Sequence, residues 1–150
     1  MTPDHSLFME AALQLAQEAA SSGEIPVGAV VVRSGEIIGR GRNRREELSD
    51  PCAHAEILAL RDAARTMGDW RLSGCTLYVT LEPCPLCAGA AAMSRVSLVV
   101  FGARDEKMGC CGSRYDIPGD GSFGTPIPSV GGVLAGRCAA LLRESMRNLR

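Results

Sequence analysis

Runs rich in β-branched residues alternate along this chain with segments of helical periodicity, and this alternation restricts the fold more than any other feature. Four runs predict strands, over 25–32, 37–41, 76–81 and 97–102. Apolar residues at helical spacing predict four helices, over 7–20, 53–66, 85–93 and 133–150. The first two strands are joined by the turn sequence RSGE, which predicts a hairpin. The order as a whole predicts an α/β fold, in which a sheet with some parallel pairing carries helices on its faces.

The length of 150 residues is typical of one domain, spanning 1–150. A long loop is predicted over 103–132, because that stretch holds ten glycines and prolines. No segment approaches the run of about 18–20 apolar residues that a membrane helix requires. The N-terminus carries no basic-then-apolar export pattern. We therefore expect a cytoplasmic protein that does not span a membrane.

Seven cysteines, an odd number, are spread along the chain. Without an export signal, reduced thiols or metal ligands are favoured over a disulfide framework. Cys84 and Cys87 form a Cys-x-x-Cys pair, and Pro85 occupies a favoured first-turn position of the following helix. The helix dipole and the unpaired N–H groups at that helix start favour thiolates. Such a pair is also found as two buried cysteines or as a redox pair, so it needs a third residue to indicate a metal site.

His54 is the candidate third ligand, because it too precedes a predicted helix that follows an extended segment. A histidine there is by itself more typical of a helix cap or a packed polar residue. In a parallel arrangement, however, both helix starts lie at the same edge of the sheet, where ligands of open α/β sheets gather. One nitrogen and two sulfurs suit zinc and leave its fourth position open, as in catalytic zinc sites. Cys110 and Cys111 are an alternative source of a fourth ligand.

Glu56 follows His54 by two residues and can point to the same site from the first helical turn. Zinc lowers the pKa of a bound water to about 7, so a nearby carboxylate can take its proton and later deliver it to the substrate. The helix dipole alone also favours a glutamate at this position. Beside three zinc ligands the catalytic interpretation is the stronger, since a structural zinc site or a redox protein has no need of the carboxylate.

The motifs HAE (54–56) and PCPLC (83–87) resemble the His-x-Glu and Pro-Cys-x-x-Cys signature of the cytidine and deoxycytidylate deaminase superfamily. The likeness extends to EIPVGAVVV, GRN, WRLSGCTLYVTLEPCPLCAGA and SRVSLVVFGARDEKMG, which are similar to the tRNA adenosine deaminases within that superfamily. It is close over about 7–115 and loose over 130–150. The resemblance implies a three-layer α-β-α fold with a mixed central sheet of about five strands and helices on both faces.

The resemblance also implies a reaction, the hydrolytic deamination of adenosine to inosine at the wobble position of a tRNA anticodon. One zinc ion per chain would be held by His54, Cys84 and Cys87, with Glu56 as the proton shuttle. A homodimer is implied as well. The implied substrate contacts are Asn43 as a hydrogen-bond partner of the base, Val27 and Ala55 as pocket walls, and Asp105 and Lys107 near the flipped-out nucleotide.

The substrate is less constrained than the reaction. The segment 115–129 and the end of the last helix depart from the family pattern, so a deaminase of a free base or nucleotide, of guanine or cytosine type, is an alternative.

A net charge of −1 gives no overall attraction to nucleic acid, so an RNA partner requires local basic patches. Two arginine groups are candidates for phosphate contacts, Arg143, Arg147 and Arg150 on the last helix and Arg40, Arg42, Arg44 and Arg45 in the polar stretch. A solvated helix face and loop would carry the same residues.

Overall fold

The computed structural model describes residues 4–148, with the side chains of the last helix described as far as Ser145. These residues form a five-stranded sheet of order β2-β1-β3-β4-β5. The strands are β1 Gly28–Arg33, β2 Glu36–Arg42, β3 Cys75–Leu81, β4 Leu98–Ala103 and β5 Ser129–Val130. The helices are α1 His5–Ser21, α2 Arg45–Leu48, α3 Ala55–Met67, α4 Pro85–Ser94 and α5 Ala135–Asn148. Strand β1 pairs antiparallel with β2 and β3, while β3, β4 and β5 pair in parallel, so the hairpin and the mixed sheet are confirmed.

Helices cover both faces of the sheet because strand residues alternate between two hydrophobic clusters. Val31 and Val99 pack in the cluster that also contains buried residues of α3 and α4. Val30 and Val100, their neighbours in sequence, pack in the cluster that contains residues of α1 and α5. The three-layer α-β-α architecture implied by the resemblance is therefore confirmed. Among the helices described, none is both long and apolar enough to cross a membrane.

Two glycines allow α3 to lie directly on β2, the outermost strand on one side of the sheet. A Cβ atom at Gly41 would approach the backbone oxygen of Ala55 to 2.2 Å, and one at Gly39 would approach that of Ala59 to 2.4 Å. No other residue type fits such a close contact between backbones. The start of α3, which carries His54 and Glu56, is thereby held next to the C-terminal end of β2.

Two elements differ from the sequence prediction. The predicted loop 103–132 contains β5, which pairs in parallel with β4 through Val99 and Val100. The polar stretch after β2 contains the short helix α2, whose first N–H groups are capped by a residue far away in sequence. The buried carboxylate of Glu24 accepts hydrogen bonds from the backbone N–H groups of Glu46 and Glu47, at 3.1 and 2.8 Å. Neither element has a local signal, because both depend on partners elsewhere in the chain.

Candidate active site

The C-terminal ends of β2, β3 and β4 lie at one edge of the sheet, together with the start of β1. This follows from the pairing, since β1 is antiparallel to β2 and β3 while β3 and β4 are parallel. Helix α3 follows β2 through the segment 43–54, and α4 follows β3 through 82–84. Both helix starts therefore lie at the same edge, as the sequence predicted.

The side chains of His54, Cys84 and Cys87 converge at this edge. His54 and Cys84 occupy the N-cap positions of α3 and α4, but neither side chain makes a capping hydrogen bond. Instead, Nδ1 of His54 lies 3.7 Å from Sγ of Cys84 and 3.4 Å from Sγ of Cys87. The capping interpretation of His54 is therefore excluded, and one ligand atom from each residue lies within 4.8 Å of the others.

The spacing of these three atoms fits a tetrahedral zinc ion. At zinc–sulfur and zinc–nitrogen distances of about 2.3 and 2.1 Å, adjacent tetrahedral ligands are separated by about 3.6–3.8 Å. One nitrogen and two sulfurs leave the fourth position to water or substrate. Within the described residues, Cys110 and Cys111 do not join the group, and the Cys110 thiol instead lies 3.6 Å from the backbone oxygen of Met108.

Hydrogen bonds between the two sulfurs and the imidazole shift the pKa values of all three groups. A hydrogen bond from the Cys87 thiol, assisted by His54, lowers the pKa of the Cys84 thiol to about 4. The same contact, together with burial, raises the pKa of the Cys87 thiol. The hydrogen bond to Cys84 likewise raises the pKa of His54. A divalent cation would displace the shared protons, because metal ligands bind in their deprotonated form.

Glu56 brings a buried carboxyl group to the same place. It lies in the first turn of α3, is only 4% exposed, and lines one cavity with His54 and Cys84. Burial raises the pKa of the Glu56 carboxyl to about 7. A carboxyl with such a pKa can both accept and donate a proton near neutral pH.

The cavity at this edge has a volume of about 300 Å³ and contains most of the predicted substrate contacts. Val27, Asn43, Ala55 and Asp105 all line it. Lys107 is exposed, and its backbone N–H donates to the Asp105 carboxylate at 3.0 Å. Arg45, one of the arginines predicted to contact phosphate, also lines the cavity. Three further lining residues, Ile25, Leu81 and Met108, were not singled out from the sequence, since isolated apolar residues carry no signal.

Asn43 has a defined orientation in the cavity wall. It is 6% exposed, and its backbone N–H donates to the backbone oxygen of Val27 at 3.1 Å. Its side-chain Oδ1 accepts the N–H of Arg45 at 3.1 Å. This bond assigns the amide oxygen, so the amide nitrogen is the group that remains to donate a hydrogen bond to a substrate.

The predicted RNA-contacting arginines of the last helix lie apart from this cavity. Arg143 is exposed on α5 and does not line it. Arg147 belongs to α5, but its side chain lies outside the described residues, as does the whole of Arg150. Their contact with RNA stays a prediction.

The segment that departs from the family pattern, 115–129, also lies away from the cavity. Part of it, including Pro118 and Phe123, lines a different cavity together with Ala92 and Arg95. That cavity is at the opposite end of α4 from Cys84 and Cys87. Within one chain, no residue of the altered segment lines the cavity that contains His54, Glu56 and Cys84.

Glu82, which also lines the cavity, is a buried charged residue that the sequence analysis did not identify. It is 1% exposed, and its carboxylate accepts hydrogen bonds from the backbone N–H groups of Asp105, Cys111 and Ser113 at 3.1, 3.1 and 2.9 Å. The Ser113 hydroxyl donates a further bond. Burial by itself raises the pKa of Glu82, but these bonds, led by those from Ser113, bring it below its ordinary value. The signal in the sequence that could have identified Glu82 is its position, as a charged residue between a buried strand and the Cys-x-x-Cys motif.

We expect Glu82→Ala to lower the free energy of unfolding by about 3 kcal/mol, because it leaves several buried N–H groups without an acceptor. Denaturant unfolding of the zinc-loaded protein measures this change. Glu106→Ala, an exposed glutamate of the same loop, is the matched control and should leave stability unchanged. Equal stability of the two variants would contradict the role assigned to Glu82.

Comparison with known proteins places the site in a family. Residues 2–103 match the model described as the cytidine and deoxycytidylate deaminase zinc-binding region. The chain belongs to this family. A zinc-binding deaminase domain accounts for the convergence of His54, Cys84 and Cys87, which are positioned to bind one metal ion.

Relatives within the deaminase family are similar over nearly the whole chain. A tRNA-specific adenosine deaminase of Bacillus subtilis (strain 168) is 47% identical over 150 residues, covering 100% of this chain and 92% of that protein. A structure solved in studies of A-to-I editing by tRNA:A34 deaminases at the wobble position has a TM-score of 0.86 at 38% identity, covering 90% of this chain and 98% of the other. A guanine deaminase from Nitrosomonas europaea has a TM-score of 0.82 at 28% identity, covering 97% and 85%.

Proposed function

We propose that this protein hydrolyses the amine of adenosine to give inosine at the wobble position of a tRNA anticodon. The full-length identity of 47% to a tRNA-specific adenosine deaminase carries this proposal. The cavity at the sheet edge supports it, because His54, Cys84 and the buried Glu56 line it. Cys87 completes the ligand group with His54 and Cys84. An enzyme with this substrate would act in the cytoplasm.

The chain's own residues divide the chemistry between them. His54, Cys84 and Cys87 would hold the zinc ion, which when bound supplies a nucleophile by lowering the pKa of water in its open position. The Glu56 carboxylate takes one proton from the attacking water and delivers it to the ring nitrogen. It then takes the second proton, from the added hydroxyl group, and delivers it to the amine, which departs as ammonia. Water and adenosine are consumed, and inosine and ammonia are formed. Val27 and Ala55 form apolar walls for the base, and the Asn43 amide nitrogen donates to an acceptor on it.

Guanine is the second candidate substrate, because the likeness to a guanine deaminase also spans nearly the whole chain. An amide donor at Asn43 suits either purine, since both carry ring-nitrogen acceptors. Single-stranded anticodon loops suit an enzyme whose target base must be splayed out.

Ammonia release from an anticodon stem-loop with a wobble adenosine, measured beside free guanine, adenosine and cytidine, separates the two candidate substrates. We expect turnover of the stem-loop; turnover of a free base alone would overturn the proposal.

We also propose that the protein is a homodimer that packs through α4. The helix contains no charged residue. Leu86, Gly89, Ala90 and Met93, at helical spacing, form one face on which Leu86 is 41% and Met93 75% exposed. Nothing in the same chain lies within 4 Å of a Cβ atom built at Gly89, so a second helix could approach closely. A two-fold dimer would bury this face against its own copy.

Met93→Glu should convert the dimer to a monomer, because a symmetric interface would then bury two carboxylates. Light scattering coupled to size-exclusion chromatography gives the mass. Leu7→Glu, at a 61% exposed leucine of α1, is the control and should remain dimeric. A monomeric wild type, or a dimeric Met93→Glu variant, would refute packing through α4.

A further inference from the structure

An open groove rich in arginine runs alongside β2, the outermost strand on one side of the sheet. The groove lies between β2, α1, α2 and α3 and has a volume of about 540 Å³. Its arginines are Arg40, Arg42, Arg44, Arg61 and Arg65. We call this feature the arginine groove.

The positive charge of the arginine groove is only partly neutralised. Arg42 and Arg44 share a single carboxylate, that of Glu47. Among the described residues, no ion pair within 4 Å involves Arg40, Arg61 or Arg65. The groove has two carboxylates of its own, and one of them, Asp62, accepts the backbone N–H of Arg40 at 2.9 Å. An anionic ligand could therefore pair with guanidinium groups that have no carboxylate partner among the described residues.

The arrangement of these side chains suits a polymer with alternating charged and less polar groups. Leu58, Arg61 and Arg65 lie three and four residues apart, on one face of α3. Leu48 of α2 lines the same groove and is 44% exposed. Guanidinium groups beside exposed apolar surface can hold phosphates while sugars or bases contact the leucines.

The arginine groove adjoins the active-site cavity through one short segment. Arg42 and Arg44 line the groove, whereas Asn43 and Arg45, which alternate with them in sequence, line the cavity. Consecutive Cα atoms are about 3.8 Å apart, so the groove and the cavity lie on either side of this short segment. An RNA strand whose base enters the cavity would cross the segment to reach the groove.

We propose that the arginine groove binds the phosphates of the RNA strand that flanks the target nucleotide. The inference rests on the proposed function, because it takes the ligand in the cavity to be part of an RNA. Arg40, Arg61 and Arg65 contribute the contacts, since Arg42 and Arg44 are paired with Glu47. The groove gives a protein of net charge −1 a local site for a polyanion.

The test compares the zinc-loaded wild type with the triple variant Arg40→Gln, Arg61→Gln, Arg65→Gln. Fluorescence anisotropy gives the Kd for an anticodon stem-loop at several salt concentrations. The slope of log K against log salt should become shallower by about 0.7 for each phosphate that the variant no longer neutralises, hence by about two in the triple variant. The KM for the stem-loop should rise about tenfold or more at low salt, with kcat unchanged.

Arg33→Gln is the matched control, because Arg33 is exposed at the opposite end of β1. It should leave the salt slope, Kd and kcat unchanged. A triple variant with the wild-type slope and Kd would overturn the role of the groove, whether or not the RNA is deaminated. A wild type that binds the stem-loop without turnover would instead refute the proposed function, and the comparison of slopes would still decide the role of the groove.

Discussion

We expect Glu56→Gln to lower the rate of deamination by about 10²–10⁴-fold at saturating substrate, because the proton shuttle is removed. The replacement has nearly the same shape, so the buried side chain should still pack at the start of α3. Its amide cannot take a proton from water or return one to the amine. The measurement is kcat for inosine formation, with zinc content determined by mass spectrometry on the same samples.

Glu24→Gln is the matched control for Glu56, since both glutamates are buried, 2% and 4% exposed. Glu24 caps α2 and does not line the active-site cavity, so its replacement should leave kcat near the wild-type value. A Glu56→Gln variant with full zinc content and wild-type kcat would remove Glu56 from the chemistry.

Cys84→Ala and Cys87→Ala should each abolish zinc binding and activity together. Two ligands do not retain the ion that three hold, and without it the pKa of water stays near its bulk value. Zinc content should fall from about one per chain to well below that value. The melting temperature should also fall, because a ligand that binds only the folded state stabilises it. Chelation should lower the Tm of the wild type but leave the Tm of both variants unchanged.

Cys75→Ala controls for the removal of a buried thiol as such. Cys75 begins β3, is 0% exposed, and lies outside the ligand group. This variant should keep one zinc per chain and respond to chelation like the wild type. Full zinc content in both Cys84→Ala and Cys87→Ala would contradict the assigned site.

The positions of the zinc ligands could be predicted because the motifs at two helix starts and the order of strands and helices both pointed to the same end of the sheet. Cys84 and Cys87 share a helix start, and the alternation of strands and helices was enough to place His54 at the same edge. The likeness to the deaminases indicated Asn43, Val27, Ala55 and Asp105, all of which line the cavity.

The parts that could not be predicted depend on contacts between distant residues. Glu82 holds the loop of Asp105 and Ser113, and Glu24 holds α2, each through a carboxylate more than twenty residues from its donors. Periodicity reports which side of an element is apolar, but it does not identify the partner of a single buried charge. The arginine groove shows the same limit, since its members from β2 and α3 are brought together only by the packing of α3 on Gly39 and Gly41.

The most direct test of wobble adenosine deamination is position-resolved detection of inosine in an anticodon stem-loop that contains several adenosines. Reverse transcription reads inosine as guanosine, so each adenosine reports separately. After incubation with the zinc-loaded wild type, we expect conversion at the wobble adenosine and none at the other positions. No conversion at the wobble position, together with release of ammonia from free guanine, would contradict the proposed function.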